Sequence, residues 1–307
     1  MEPLIIGIGE ILWDMFPAGP RMGGAPANFA CHARALGADG RIVSRVGDDA
    51  PGASLLTKLE ETGMPVSGIS YDAYHPTGSV SVDLMDDGQP VFTIEENVAW
   101  DHLAADSLTK ELFSRADAVC FGTLGQRAPA SAATIRALVA MTPAEALRVL
   151  DVNLRQNHYS AATLVASLEL ANVLKLSDAE LPEIASMLGF EGSLREKLAK
   201  LISRFDLRLI VYTRGSQGSV LFDGEEWCEH PGLPTEVSNT VGAGDSFTAA
   251  VAVGLLKQWR LETISAAANE VAAHVCSCDG AVPSMPDSLR ALFQVKAALP
   301  PKARSLA

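Results

Sequence analysis

The run Asn239-Thr240-Val241-Gly242-Ala243-Gly244-Asp245, followed at once by the apolar stretch 246–256, carries the densest chemistry in the chain. Its glycines free the backbone to turn tightly, so that successive N–H groups can converge where a helix begins. Such a point attracts an anion, each aligned dipole end contributing roughly 0.3–2 kcal/mol for negative charge. Asp245 then stands as a carboxylate beside whatever the glycines bind, and a phosphate next to a base is the arrangement of phosphoryl transfer. Taken alone, the same residues would also make an ordinary Gly-rich turn capping a helix.

Five further clusters carry polar groups at places where a chain of this kind puts ligands. Gly23-Gly24-Ala25-Pro26-Ala27-Asn28 precedes the first long helix; the glycines allow close approach to the backbone, and an amide at Asn28 both donates and accepts, which suits a polyhydroxylated ligand. Asp14 is expected in the loop after the first strand, where a carboxylate can accept from two vicinal hydroxyls. Asp151-Val152-Asn153-Leu154-Arg155 brings acid, amide and guanidinium to one sheet edge on alternate positions, with Arg155 able to hold a transferring phosphoryl group as a planar donor fork. Ser177-Asp178-Ala179-Glu180 reads either as a capping box or as a carboxylate near a hydrated Mg²⁺. Thr213-Arg214-Gly215-Ser216-Gln217-Gly218 joins two strands by a turn whose N–H groups could face a phosphate, and Asn269 sits on a helix among alanines that leave room for a flat ring.

The elements that must position these residues follow from hydrophobic periodicity. The pattern predicts strands at 4–9, 41–46, 118–122, 147–151, 173–176 and 207–213. Helices are predicted at 24–36, 53–62, 130–141, 162–171, twice within 179–205, and at 261–274. Alternation of this kind argues for a mostly parallel sheet covered on both faces. One segment departs from it: Val80, Val82 and Leu84, then Val91, Phe92 and Ile94, flank the polar turn Asp86-Asp87-Gly88, which predicts a hairpin projecting as a flap.

Composition bounds the partners. With 307 residues, 48% hydrophobic and 20% charged, the chain can bury a large core, and a formal net charge of −13 excludes a nucleic-acid polyanion. No apolar run reaches the roughly 18–20 residues that span a bilayer, and Met1-Glu2-Pro3 lacks the basic start of a signal peptide, which implies a cytoplasmic chain without a membrane partner. Five scattered cysteines speak for free thiols.

The two spaced signatures, Gly23-Gly24-x-x-x-Asn28 and Thr240-x-Gly242-Ala243-Gly244-Asp245, resemble those of the ribokinase-like (PfkB) family of sugar kinases, and the likeness runs from Leu4 to about Pro286. The resemblance implies a three-layer α/β/α sandwich with a mostly parallel central sheet, a single kinase domain over 1–300, and a small β-sheet lid near 11–22 and 77–98. A flexible tail is expected at 301–307. The resemblance also implies ATP and Mg²⁺ as cofactors. Asp245 becomes the base, the N–H groups of Gly242, Ala243 and Gly244 the anion hole, and Asp14, Gly24 and Asn28 the sugar site. Ser177, Thr213, Gly215, Gly218 and Asn269 fall to the nucleotide, and Glu180 to Mg²⁺ through water.

Two departures are visible. The late signature usually opens with Asp where Asn239 stands here, and the Mg²⁺-linked motif usually opens with Asn where Ser177 stands. The first removes a charge from the place where many members bind a monovalent cation between that residue and a loop resembling 278–284, ending at Ser284, and leaves K⁺ activation open. The second counts towards fructokinase-like members, as do the surroundings of Asp14 and Arg155. The activity implied is transfer of the γ-phosphoryl group of ATP to D-fructose, giving fructose 6-phosphate. Ribose, 2-keto-3-deoxygluconate or a nucleoside are the alternative substrates, and a non-catalytic sugar- or nucleotide-binding regulator is the alternative from another class. A two-stranded flap is marginal in water, so a homodimer through the lid is expected.

Overall fold

This computed structural model describes residues 2–16, 19–84 and 90–294. The strands in chain order are β1 (Leu4–Ile8), β2 (Leu12–Phe16), β3 (Gly19–Gly23), β4 (Asp39–Gly47), β5 (Ile69–Asp72), β6 (Gly78–Leu84), β7 (Pro90–Ile94), β8 (Ala118–Phe121), β9 (Leu147–Asp151), β10 (Val173–Ser177), β11 (Leu209–Thr213), β12 (Ser219–Phe222) and β13 (Trp227–His230). The helices are α1 (Ala25–Ala35), α2 (Ala50–Glu61), α3 (Ser107–Ser114), α4 (Pro129–Ala140), α5 (Ala161–Leu170), α6 (Leu181–Leu188), α7 (Leu194–Phe205), α8 (Ala243–Leu256), α9 (Leu261–Ser277) and α10 (Asp287–Gln294).

The main sheet runs β13-β12-β11-β10-β9-β8-β1-β4-β5 and is parallel from β11 to β5. Its strands are near-continuous apolar runs because both faces are covered. In β1, Ile6 and Ile8 enter one cluster with Phe113, Ile135, Leu164, Ile184 and Leu201, the faces of α3 to α7. Ile5 enters the other with Phe29, Phe247, Val251 and Val271, from α1, α8 and α9. Each fully buried side chain of this size is stabilising by about 1.5–3 kcal/mol, so the period-2 alternation of β1 fixes which helices lie on which side. The result is the three-layer α/β/α sandwich that the alternation predicted.

Helix α1 starts behind Gly24, at φ 113° with Pro26 in its first turn, and is buried along most of its length between the sheet and α8. Ala33 of α1 shares one buried cluster with Ala249, Ala250 and Ala252 of α8, while Ala27 and Ala30 pack towards β2, β4 and α2.

The structure departs from the sequence expectations at four places. Asp14 lies in strand β2, not in a loop. The flap is not a lone hairpin: β6 and β7 pair antiparallel, but β6 also pairs parallel with β2, and β2 with β3, giving a four-stranded sheet β3-β2-β6-β7. That removes the marginal hairpin from which a dimer was argued. Strand β5, which the periodicity did not predict, adds a parallel strand beyond β4, whereas the antiparallel edge through β12 and β13 agrees with the turn expected to join two strands at Thr213–Gly218. Finally, Asn153 adopts φ 44°, so the alternate-position side shared by Asp151, Asn153 and Arg155 is broken just after β9. The expected turn at Asp86-Asp87-Gly88, the side chains of Val82, Leu84, Val91 and Phe92, and the tail 301–307 lie outside the described residues. Among the described residues no helix is long and apolar enough to cross a membrane, and all five cysteines are free, three of them buried.

Candidate active site

The carboxyl ends of β1, β9, β10 and β11 open on one edge of the sheet, and the N-terminus of α8 meets them there. The cap residue of α8, Gly242, has φ 80°, and a Cβ on it would stand 2.2 Å from the carbonyl oxygen of Ala281. Only glycine makes this turn against the loop behind it. The Ala243 N–H bends back to Thr240 O at 3.3 Å, and the regular ladder starts with the Ser246 N–H on Gly242 O at 2.9 Å. The first-turn N–H groups that follow Ala243 thus sit at the open positive end of the helix. Of the three N–H groups expected to form an anion hole, that of Ala243 is already engaged.

Asp245 stands in that first turn, and its Oδ2 accepts from the Asn28 amide at 2.8 Å. Burial pushes its pKa up to about 6, with the Asp151 carboxylate adding to the rise and the Asn28 hydrogen bond, Lys175 and Arg155 opposing it. A base poised in this range is matched to proton abstraction near neutrality. Asn28 is itself buried, and its Oδ1 has no hydrogen-bond partner among the described residues. One end of the amide holds the carboxylate, and the other is an unsatisfied acceptor beside it.

Beneath the first turn lies a buried ion pair. The register of β9 with β10 sets Lys175 against Asp151, and Lys175 Nζ reaches Asp151 Oδ1 at 2.9 Å. The same Nζ is 3.2 Å from where a Cβ on Gly244 would stand. Burial works against the ammonium, but the carboxylates of Asp151, Glu180 and Asp245 together hold its pKa above the ordinary value. A fixed positive charge therefore reinforces the helix end.

Glu180 lies close by, and both oxygens of its carboxylate accept hydrogen bonds within the chain. It accepts from the Leu154 N–H at 2.9 Å, the Ser177 N–H at 2.7 Å and the Ser177 hydroxyl at 2.8 Å. Burial raises its pKa, yet Lys175 and these donors outweigh it and keep the group below the usual carboxylate range. The Ser-x-x-Glu pattern makes half of a capping box, with the Glu reaching back to the Ser N–H, while α6 begins after Glu180 without a side-chain cap. The carboxylate ties the end of β10 to the loop after β9.

A cavity of about 1210 Å³ opens from Gly244 and Lys175 past Asn153, Arg155, Ser177, Glu180, Thr213, Gly215 and Gly218 to Asn269. Gly218 has φ 80°, and a Cβ there would stand 2.0 Å from His230 O. The Gln217 and Gly218 N–H groups close the turn on Arg214 O and Gly215 O at 3.0 and 3.1 Å, which leaves the front of the turn, at Gly215 and Ser216, as the part able to meet an anion. The Asn269 amide donates inward to Ser265 O and to the Ser219 hydroxyl, so its side chain fixes the wall of the cavity. Thus Ser177, Glu180, Thr213, Gly215, Gly218 and Asn269, read separately in the sequence, share one surface.

Asp14 and Gly24 stand on the lid side. Burial pushes the Asp14 pKa up to about 6 against the Arg155 charge, and a Cβ on Gly23 would fall 2.3 Å from its Oδ2. Arg155 is exposed, and its charge is felt by Asp14, Glu10 and Asp245 alike. Asn239 and Ser284 are already hydrogen-bonded within the chain: the Asn239 amide donates to Cys278 O at 2.7 Å, its Oδ1 accepts from the Val241 N–H at 2.9 Å, and the Ser284 carbonyl accepts from His274 Nε2 at 3.0 Å.

Two groups at this edge were missed by sequence reasoning. Lys175 reads as one interruption in the apolar strand Val173–Ser177, and only the strand register reveals its partner. Glu10 follows β1, is buried, and has one carboxylate oxygen without a partner among the described residues. Burial pushes its pKa up to about 7 against its own N–H and that of Ala25; Asp245 adds to the rise, and Arg155 counters it.

A parallel sheet between helix layers, a β-sheet lid, and a carboxylate beside a positively charged helix end define a ribokinase-like sugar kinase. Residues 19–288 match the model of the pfkB family carbohydrate kinases, and the chain belongs to that family. Among its relatives is fructokinase-1 of Oryza sativa, 28% identical over 96% of this chain and 98% of its own length. A sugar kinase structure from Pyrococcus horikoshii is 28% identical with a TM-score of 0.82, covering 95% of this chain and 97% of that one. The same archaeal kinase in complex with ATP gives a TM-score of 0.80 over 92% of this chain and 95% of that one. Fructokinase of Vibrio cholerae with fructose, ADP and calcium bound, at 23% identity and a TM-score of 0.77 over 94% of this chain and 98% of its own, shares the fold.

Proposed function

We propose that this sugar kinase transfers the γ-phosphoryl group of ATP to D-fructose, giving fructose 6-phosphate. The observation that carries the reading is Asp245: a carboxylate in the first turn of α8, held by one end of the Asn28 amide while the other end, Oδ1, is buried without a partner among the described residues. A sugar hydroxyl donating to that acceptor or to Asp14 would lie next to the base. Asp245 takes the hydroxyl proton as the oxygen attacks the γ-phosphorus and the bond to the β,γ-bridging oxygen breaks, releasing ADP; the N–H groups of Gly242 and Gly244, with Lys175 beneath, face the negative charge on the phosphoryl oxygens. Positioning and charge stabilisation are what phosphoryl transfer needs. Arg155 stands between the cavity and Asp14 and is assigned to the phosphoryl group in transit.

The cavity from Gly244 to Asn269 has the size and the Gly-rich rim that suit ATP. Mg²⁺ fits a contact through water at Glu180, whose oxygens already accept three hydrogen bonds, and when bound with the nucleotide it neutralises phosphate charge. Fructose as acceptor is supported by the plant fructokinases among the relatives. The homodimer remains a proposal on the ground that Met15 of the lid strand β2 is exposed; a light-scattering mass of one chain at micromolar concentration would refute it. The decisive experiment is coupled ADP detection across hexoses, pentoses, 2-keto-3-deoxygluconate and nucleosides. Fructose is expected to give the highest kcat/KM, preference for another acceptor refutes the substrate, and no ADP from any of them refutes the catalytic reading.

A further inference from the structure

Helix α1 carries a second polar residue one turn beyond Asn28. His32 is completely buried, and its Nε2 lies 2.9 Å from the carbonyl oxygen of Ala281. A carbonyl only accepts, so the ring must carry its proton on Nε2, and Nδ1, which has no partner among the described residues, is the bare nitrogen of a neutral imidazole. Burial holds the His32 pKa down at about 4, with His274 adding to the fall and the Ala281 carbonyl opposing it.

The Ala281 carbonyl is the atom against which Gly242 is packed. A Cβ on Gly242 would meet that oxygen at 2.2 Å and the Ala281 carbonyl carbon at 2.8 Å. Gly242 is the cap of α8, and its φ of 80° sets the direction of the N–H groups that open the helix. Residues four apart on a helix lie on one face, so Asn28 and His32 both point from α1 to α8 and its neighbouring loop. Asn28 fixes the base, and His32 fixes the wall that shapes the anion-binding turn.

We infer that His32 is a positioning residue for phosphoryl transfer: its Nε2–H anchors the Ala281 carbonyl and so sets the turn at Gly242 in register with the base that Asn28 holds. This rests on the assignment of that turn to the phosphoryl group. The role belongs to the donor, so it separates cleanly from packing. Gln can place an amide N–H near the Nε2 position; Asn reaches only as far as Nδ1, and Leu keeps the bulk without a donor.

The test compares His32→Gln, His32→Asn and His32→Leu with the wild type in steady-state kinetics and in hydrogen exchange over residues 238–247. His32→Asn and His32→Leu are expected to lower kcat at least tenfold while the sugar KM changes less than threefold, and His32→Gln to stay within threefold of wild type. Exchange over 238–247 should quicken in the Asn variant and stay near wild type in the Gln variant, which reads the contact without turnover. If Leu fails to fold, the Gln and Asn pair, both polar and differing only in reach, decides. Unchanged kcat and exchange in His32→Asn overturn the inference, as does a Gln variant as impaired as Asn with its fold intact. A wild type without turnover, but with the expected exchange pattern, would refute the kinase assignment of the turn and leave the contact standing.

Discussion

Replacing Asn28 by Leu tests the link between the sugar-side helix and the base. The substitution keeps the shape of the side chain and removes the N–H that Asp245 accepts at 2.8 Å. A hydrogen bond to a charged group contributes about 1.5–3 kcal/mol, and one pKa unit corresponds to about 1.36 kcal/mol. The Asn28 bond acts only on the ionised form and lowers the Asp245 pKa, which burial has brought to about 6. Its loss should therefore move the acid limb of the kcat/KM profile upward by about one to two pH units. The sign is definite: the base works deprotonated, so activity is lost as pH falls through its pKa, and the variant loses it at higher pH. Near pH 7 protonation alone should reduce kcat/KM by roughly two- to tenfold, and the part due to protonation should return above about pH 8.5. A separate, pH-independent fall is expected from the lost Oδ1 acceptor. The assay is kcat/KM for the sugar from pH 5 to 9 by coupled ADP release. An acid limb that stays where the wild type has it would refute the role given to the Asn28 N–H, whatever the loss in absolute rate.

Other consequences are equally direct. Asp245→Asn should lower kcat by about 10²–10⁴-fold, as expected for loss of a general base. It should also raise the melting temperature at pH 7.5: burial lifts the folded-state pKa from 3.8 to about 6, so the stability this group contributes is complete below the unfolded value and lost as pH rises to the folded one. A lower melting temperature in calorimetry would contradict that. Gly218→Ala forces a Cβ to within 2.0 Å of His230 O at a φ of 80°. With ψ at −137° the position lies in a backbone region that residues with a Cβ rarely enter, at a cost of about 1–3 kcal/mol, so the KM for ATP should rise about tenfold or more, with the sugar KM little changed. Equal turnover in K⁺ and in tetramethylammonium at fixed ionic strength is expected, because both ends of the Asn239 amide are already hydrogen-bonded within the chain; strong K⁺ dependence would refute it.

Local chemistry made much of this molecule legible. Glycine after an apolar run located the ends of α1 and α2, and the apolar runs located the parallel strands except the edge strand β5, whose Ser70 and Tyr71 are exposed, because where a sheet is covered on both faces burial and sequence pattern coincide. Asp245, Thr213, Gly215, Gly218 and Asn269 could be singled out because each sits at a turn or a helix face with an unusual composition. What could not be read are properties of pairs distant in sequence. Asp14 reads as a loop residue until β2 finds β6, some sixty residues later. Lys175 acquires meaning only from Asp151 across the β9–β10 register, and His32 only from Ala281. Glu180 shows the opposite difficulty: its residue type suits a metal and the Ser-x-x-Glu spacing announces its contact with Ser177, but the Leu154 N–H that it also accepts comes from a loop distant in sequence, which no spacing reveals.

The lid sheet is assembled from two separate stretches of chain. Strands β2 and β3 leave the core after β1 through Gly9-Glu10-Ile11 and return to α1 through Gly24 alone, while β6 and β7 are supplied between β5 and α3. The seam between the two stretches is the parallel pairing of Leu12 with Gly78, Trp13 with Ser79 and Asp14 with Val80. Anyone transplanting sugar preference from a relative must accordingly carry both pieces in one chimera, because a foreign β6 laid on a native β2 would shift the strand that bears Asp14. The short splices around Glu10 and Gly24 then mark where the graft must be cut, since both flank the helix that holds the base.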